Sequence, residues 1–306
     1  MGFYVSRRLL VGLPTLLGVA TVSFLLLRLI PGDPAKLMAG PTATPAQVEH
    51  LRVQFGLTGS EISQYFRYLG NLLHGNLGIS TLTGQAVSSE IATAFPYTLE
   101  LAVAGIILAL AVGVPLGIAA ALRRGGLVDT ALSGVSVIGV SMPVYWSGLL
   151  LIILFAAKLK LLPAAGAESP DSIILPAVTL SLFAIGFISR QTRSAMIEAL
   201  SQDYTRTARA KGMPRRVVVL KHALRNAAVP IVTVAGLQFG QLLGGAVLTE
   251  TIFGWPGLGN MLVQSINARD YATVQGAVLL FAVAVLVVNL ATDILYATID
   301  PRVRYD

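Results

Sequence analysis

The chain has 306 residues, 55% of them hydrophobic and only 12% charged, with a mean hydropathy of +0.74. Soluble domains carry about 25% charged residues, so a water-soluble globular protein is excluded. The lack of cysteine excludes disulfides, thiolate catalysis and thiolate-bound metal. A net charge of +7 raises nucleic acid as a partner, but the charge is distributed as membrane topology requires, as set out below.

Six apolar runs are long enough to cross about 30 Å of hydrocarbon at 1.5 Å per residue. They lie at roughly 9–30, 97–122, 130–157, 173–190, 227–248 and 273–297. The alternating segments of about 10 residues that mark a β-barrel are missing. The expected fold is therefore an all-α polytopic membrane protein with six transmembrane helices.

The first run follows Arg7-Arg8. It runs to about 22 residues, longer than a signal peptide's apolar region, lacks a small-x-small cleavage site and is followed by five more spans, so an uncleaved helix is expected. Pro31-Gly32-Asp33-Pro34 stops it, and Arg28 is close enough to that end to snorkel outward. Residues 33–96 read as an extracytoplasmic segment with short helices. Thr44-Pro45 has the form of an N-cap and N1 pair for a helix to about Phe55. Between residues 60 and 74, Ile62, Tyr65, Phe66, Leu69, Leu72 and Leu73 form a helical stripe, suited either to a cap on the membrane domain or to a ligand site.

The segment between the fourth and fifth runs, 191–226, is long and basic. Within it, Asp203-Tyr204-Thr205-Arg206-Thr207-Ala208-Arg209-Ala210-Lys211-Gly212 reads as a short helix over about 201–213. Ser201 or Asp203 can cap its start, Gly212 suits the left-handed C′ position, and Pro214 blocks continuation. A helical run over 214–229, with Pro214 at N1, would join it stiffly to the fifth span. A second excursion, 249–272, contains Phe253-Gly254-Trp255-Pro256-Gly257-Leu258-Gly259, expected as an interfacial turn held by Trp255.

With the N-terminus inside, the inner segments hold 14 Lys or Arg, and Arg190 at a span end makes 15. The outer segments hold six: Lys36, Arg52, Arg67, Lys158, Lys160 and Arg269. The positive-inside rule then places both termini in the cytoplasm.

Gly236, Gly240 and Gly244 share one helix face, open to intrachain packing or to a subunit interface; Gly113 and Gly117 offer a smaller version. The ionisable residues within the spans are Glu100 and Asp293, both near span ends, where interfacial pairing is expected. His50, His74 and His222 lie outside the spans without a metal-ligand partner at helical spacing, and no G-x-x-x-x-G-K-[ST] sequence cradles nucleotide. No catalytic or metal site is expected.

The run Asp203–Gly212, followed by His222-Ala223-Leu224-Arg225-Asn226-Ala227 and Pro230, resembles the cytoplasmic loop of ABC-importer permeases of the dipeptide/oligopeptide type, whose relatives include glutathione and nickel systems. Leu29-Ile30-Pro31-Gly32-Asp33-Pro34, Gly75-Asn76-Leu77-Gly78, Phe253 through Gly259, Arg269-Asp270-Tyr271 and Asp300-Pro301-Arg302-Val303-Arg304-Tyr305 extend the resemblance over nearly the whole chain. The long outer segment is similar to the first-permease type. Against the general importer pattern Glu-Ala-Ala-x-x-x-Gly, the chain keeps Ala208 and Gly212 but has Arg206 and Thr207 before them.

The resemblance implies a type I ABC importer transmembrane fold. Its organisation would be an N-terminal helix (1–32), the extracytoplasmic segment (33–96) and a core permease domain (97–306) of five spans. It implies a non-catalytic subunit in the bacterial plasma (inner) membrane, paired with a homologous second permease. Two cytosolic ATPases would bind the ATP and Mg, and an extracytoplasmic binding protein would deliver peptides or related small solutes. Asp203, Tyr204, Arg206, Thr207, Ala208, Arg209, Ala210, Lys211 and Gly212 would form the ATPase-coupling helix, with Ala208 small so as to seat in a partner's cleft. A secondary transporter or channel is the alternative, distinguished by gradient-driven transport without ATP.

Overall fold

A computed structural model describes residues 2–29, 35–36, 43–54 and 58–299. Apart from one isolated bridge between Ile79 and Ala86, regular structure among these residues is helical. The helices are α1 (Gly2–Leu29), α2 (Pro45–Gln54), α3 (Glu61–Leu73), α4 (Val87–Leu122), α5 (Leu127–Ser141) and α6 (Val144–Leu151). After these come α7 (Ile174–Ser201), α8 (Asp203–Ala210), α9 (Arg215–Phe253), α10 (Leu258–Ala268) and α11 (Tyr271–Ile299). The Pro31–Pro34 stop, the Arg28 side chain and the tail from Asp300 lie outside the described residues.

Among the described residues, four helices are long and apolar enough to cross a membrane: α4, α7 with its preceding turn, α9 and α11. A bent pair of apolar helices passes the same test only when its two parts are taken together, and α1 carries a shorter apolar stretch, Leu10–Leu25. The third expected span, 130–157, in which Pro143 falls, is not one continuous helix. It breaks between α5 and Val144–Lys158 with a bend of 102°. Pro143 is the cause: it forces Met142 into extended backbone (ψ 126°) and itself caps α6. Beyond α6 the chain continues as a π-wound turn, Ile152–Lys158. The fourth span also outruns its expected end at 190, since α7 continues to Ser201.

The described chain forms two compact units, one of Thr98–Pro256 with the chain from Ala284, the other of Gly2–Tyr97 with Gly257–Val283. In the first, α7 is the central helix, packed against α5, α6 and α9. Its crossings are close enough to need glycine. A Cβ at Gly117 of α4 would lie 2.5 Å from the Ser189 carbonyl oxygen, and one at Gly186 of α7 would lie 2.5 Å from that of Ser136. Both members of the smaller glycine pair, Gly113 and Gly117, thus sit at close crossings, with Gly117 the tighter. At the Ser201 end of α7, Ala121, Ala195, Met196, Ala199, Val219, Ala223, Ala227 and Ile231 form an apolar core in which alanines pack around Met196.

In the second unit, α3 packs on α1: Tyr65 and Tyr68 lie 5.1 and 5.5 Å from Phe24, and the Tyr65 hydroxyl is 2.7 Å from Thr21 Oγ1. The expected stripe on this helix divides, for Ile62, Phe66 and Leu73 are exposed. Thr44 caps α2 as expected, with a reciprocal bond to Gln47: the Thr44 N–H donates to Gln47 Oε1 at 2.8 Å. Val87, Ile91, Leu258 and Ala277 form this unit's core, with Leu77 packed against it. Asp270 caps α11, accepting from the hydroxyls of Ser80 (2.5 Å) and Thr273 (2.8 Å). Trp255, expected at the interface, is only 3% exposed and packs inside the protein.

Candidate coupling site

The α7–α9 connection is built around α8. Gln202, in extended backbone, separates α7 from α8 by a single residue. Ser201 ends α7, its hydroxyl bonded to the Glu198 carbonyl, so neither Ser201 nor Asp203 acts as the N-cap. The far end closes as a full Schellman motif. The Met213 N–H donates to the Ala208 carbonyl (3.3 Å), the Gly212 N–H to that of Arg209 (2.9 Å), and Gly212 takes φ +73°.

One face of α8 is locked inside the chain. Thr205 is fully buried, donating to the Leu200 and Gln202 carbonyls, and Ala208 is 4% exposed. Both lie where α8 meets the end of α7 and the π-wound turn Val218–Ala223 of α9. The small size of Ala208 is therefore required by this chain's own packing, which corrects the expectation of a partner's cleft. The opposite face is open: Asp203, Tyr204, Arg206, Thr207, Arg209, Ala210 and Lys211 are exposed. The Arg206–Asp203 pair, at 3.7 Å, is solvated on both sides and adds little rigidity. Partial burial, reinforced by the nearby Glu198 carboxylate, raises the Tyr204 phenol above its ordinary value, so it stays a neutral O–H donor at neutral pH. Tyr204 also borders an open cleft of ≈ 800 Å³ lined by Glu198, Gln202, Arg225, Asn226 and Pro230 among others.

Pro214 is the N-cap of α9 rather than its N1 residue. From Arg215 the helix runs unbroken to Phe253, with π winding only at Val218–Ala223. α8 is thus held between two long helices, with one residue on one side and four on the other.

The Gly236–Gly240–Gly244 face is not uniform. Gly236 abuts Thr292 of α11 so closely that a Cβ would overlap its side chain. Gly240 has ordinary room beside Asn289 (3.6 Å), and Gly244 faces open space. Of the ionisable residues expected in the spans, Glu100 is exposed and Asp293 half-buried.

Two features escaped the sequence reading. Glu250, placed there in an outer excursion, is fully buried on α9, because that helix ends only at left-handed Gly254. Asp129, counted as a loop residue, is 5% exposed and bidentate with Arg193: Nε to Oδ1 is 2.6 Å and Nη2 to Oδ2 is 2.7 Å. The available signal was the lone acid beside Arg123-Arg124, facing a segment otherwise rich in cations.

The chain matches two family models: "Binding-protein-dependent transport system inner membrane component" over residues 113–305, and the N-terminal part of such components over residues 1–102. It is 45% identical to the glutathione transport system permease protein GsiC of Salmonella paratyphi A and 43% identical to that of Escherichia coli K12, over 99% of each chain. Among solved structures it is similar to an inward-facing MetNI methionine ABC transporter chain (TM-score 0.60, 21% identity, 69% of this chain and 96% of that one). An amino acid ABC transporter chain matches at TM-score 0.53 and 16% identity, over 69% of this chain and 94% of that one. At these identities the structural matches speak for the fold, the type I ABC importer arrangement. The chain belongs to the family of binding-protein-dependent transport system inner membrane components, as a multi-pass ABC importer permease.

Proposed function

We propose that this chain is one of two homologous permeases lining the pathway of an ATP-driven importer for peptides or related small solutes, the class that includes the glutathione systems it resembles. The exposed face of α8 docks on a cytosolic ATPase, which binds the ATP and Mg. An extracytoplasmic binding protein delivers the substrate, and both termini lie in the cytoplasm. Closure of the ATPases displaces α8, and the spans joined to it rock between inward-open and outward-open arrangements as rigid bodies.

The observation that carries this reading is the construction of α8. One face is fixed inside the chain and the other is polar, exposed and free to meet a partner. The short connections to α7 and α9 let little displacement be lost at the joints. The excess of Lys and Arg in the segments on this side supports its placement in the cytosol.

Reversing charge on the open face with Arg206→Glu and Arg209→Glu tests it. The variant should insert normally but lose co-purification of the ATPase and uptake in a reconstituted system. Normal uptake and normal substrate-stimulated ATP hydrolysis in that variant would overturn the docking assignment.

A further inference from the structure

The end of the first unit that carries α8 holds a second connection between helices, remote from α8 in sequence. Asp129 occupies the third position of α5, after Gly126 at the N-cap, and its Oδ2 accepts the Gly125 N–H at 2.9 Å. Ser133 Oγ bonds to its Oδ1 at 3.4 Å, and the Arg193 fork takes both oxygens. The carboxylate therefore ties the α4–α5 turn, the first turn of α5 and the last third of α7 into one knot. Arg215, at the start of α9, also reaches this turn, its Nη2 lying 3.4 Å from the Leu122 carbonyl oxygen.

This knot is not needed to bring the helices together. Gly117 against Ser189 and Thr192, and Gly186 against Ser136, already hold α4 and α5 on α7 at backbone distance. Small-residue crossings of that kind fix the approach of helices; the hydrogen bond they carry, Ser136 Oγ to Ser189 Oγ at 3.1 Å, joins two neutral hydroxyls and holds rotation only weakly. A bidentate Arg–carboxylate fork fixes orientation as well as distance.

We propose that Asp129 and Arg193 are positioning residues for coupling. Their ion pair, seconded by Arg215 on Leu122, makes the α4–α5 turn move with α7 and α8, so that displacement at the ATPase contact reaches α4 and α5 as well as the two helices flanking α8. This rests on the proposed docking of α8.

The test uses the full complex, with Asp129→Ala, Arg193→Ala and the neutral hydrogen-bonding pair Asp129→Asn with Arg193→Gln. The chain has no cysteine of its own, so spin labels introduced at Leu127 and Met213, both exposed, report the distance between the α4–α5 turn and the α8–α9 loop. In the unmodified background that distance should be narrow and the same with and without ATP. In the single variants it should broaden, and solute imported per ATP hydrolysed should fall about tenfold, within the about 5- to 150-fold range of couplings between sites. The Asn–Gln pair should recover part of both. A purely structural role would lower the yield of folded complex and leave the transport-to-hydrolysis ratio of the surviving complex unchanged.

Unchanged distances, or a normal transport-to-hydrolysis ratio in Asp129→Ala and Arg193→Ala, would overturn the inference. If the Arg206→Glu, Arg209→Glu variant still behaves normally, the docking reading falls. If that variant fails while the ion-pair variants couple normally, only the positioning role falls.

Discussion

At Gly212 the backbone alone sets the demand. A Cβ there would meet nothing within 4 Å, so the constraint is φ +73° and not space. A β-branched residue in that conformation costs roughly 1–2 kcal/mol, whereas Asn tolerates it. Gly212→Val should therefore loosen the Schellman closure and sharply reduce uptake, while Gly212→Asn should retain most of it, as measured in proteoliposomes with the ATPases and binding protein. Ala208 differs, since any larger side chain there disturbs the chain's own core and reports on folding before it reports on a partner. The glycine face of α9 allows a cleaner contrast. Gly236→Leu must displace Thr292 and should lower the midpoint of thermal unfolding of the detergent-purified chain, overpacking of this kind costing about 1–3 kcal/mol. Gly244→Leu projects into open space and should leave the midpoint unchanged.

Among the elements, the bent third span shows what apolar length can and cannot convey. Hydropathy marks 130–157 as membrane-embedded but carries no direction, so the 102° turn had to be read from Pro143. The extended Met142 that it imposes is the local cause, and buried Ser147 and Gly148 then pack α6 in its new direction, with Gly148 against Phe253. Because packing now holds the bend, Pro143→Ala should preserve it and cost only about 0.4–1 kcal/mol through the gain in unfolded-state freedom. A small fall in thermal midpoint, with uptake retained, is the expected measurement. The short helix α8 was legible because its signals are local: Gly212 for the stop, Pro214 for the break, and a polar composition between them. Its buried face was not, because burial of Thr205 and Ala208 depends on the π-wound turn of α9. The Asp129–Arg193 pair was hidden for the same reason. Its partners are 64 residues apart and meet only through the helix crossings.

For the whole molecule, the decisive physical quantity is the sidedness of charge. Fourteen Lys or Arg on one set of segments against six on the other is an asymmetry that membrane insertion reads directly. The structure changes how some of those charges are counted. Arg193 is committed to Asp129, and Arg215 bonds to the Leu122 carbonyl. Removing both from the tally still leaves twice as many cations on the α8 side as on the other, so the proposed orientation does not depend on them. Gln47 on α2 and Gln202 beside α8 are both exposed and lie on opposite sides of this map. Single cysteines placed there, in a chain that has none, should react with a membrane-impermeant maleimide differently in intact cells. The residue-47 thiol should label at once, and the residue-202 thiol only after the membrane is opened. The complex should remain assembled in both cases, because neither side chain is buried. Labelling of both positions from outside would refute the map, and labelling of residue 202 alone would reverse it; either result would remove α8 from the reach of a cytosolic ATPase.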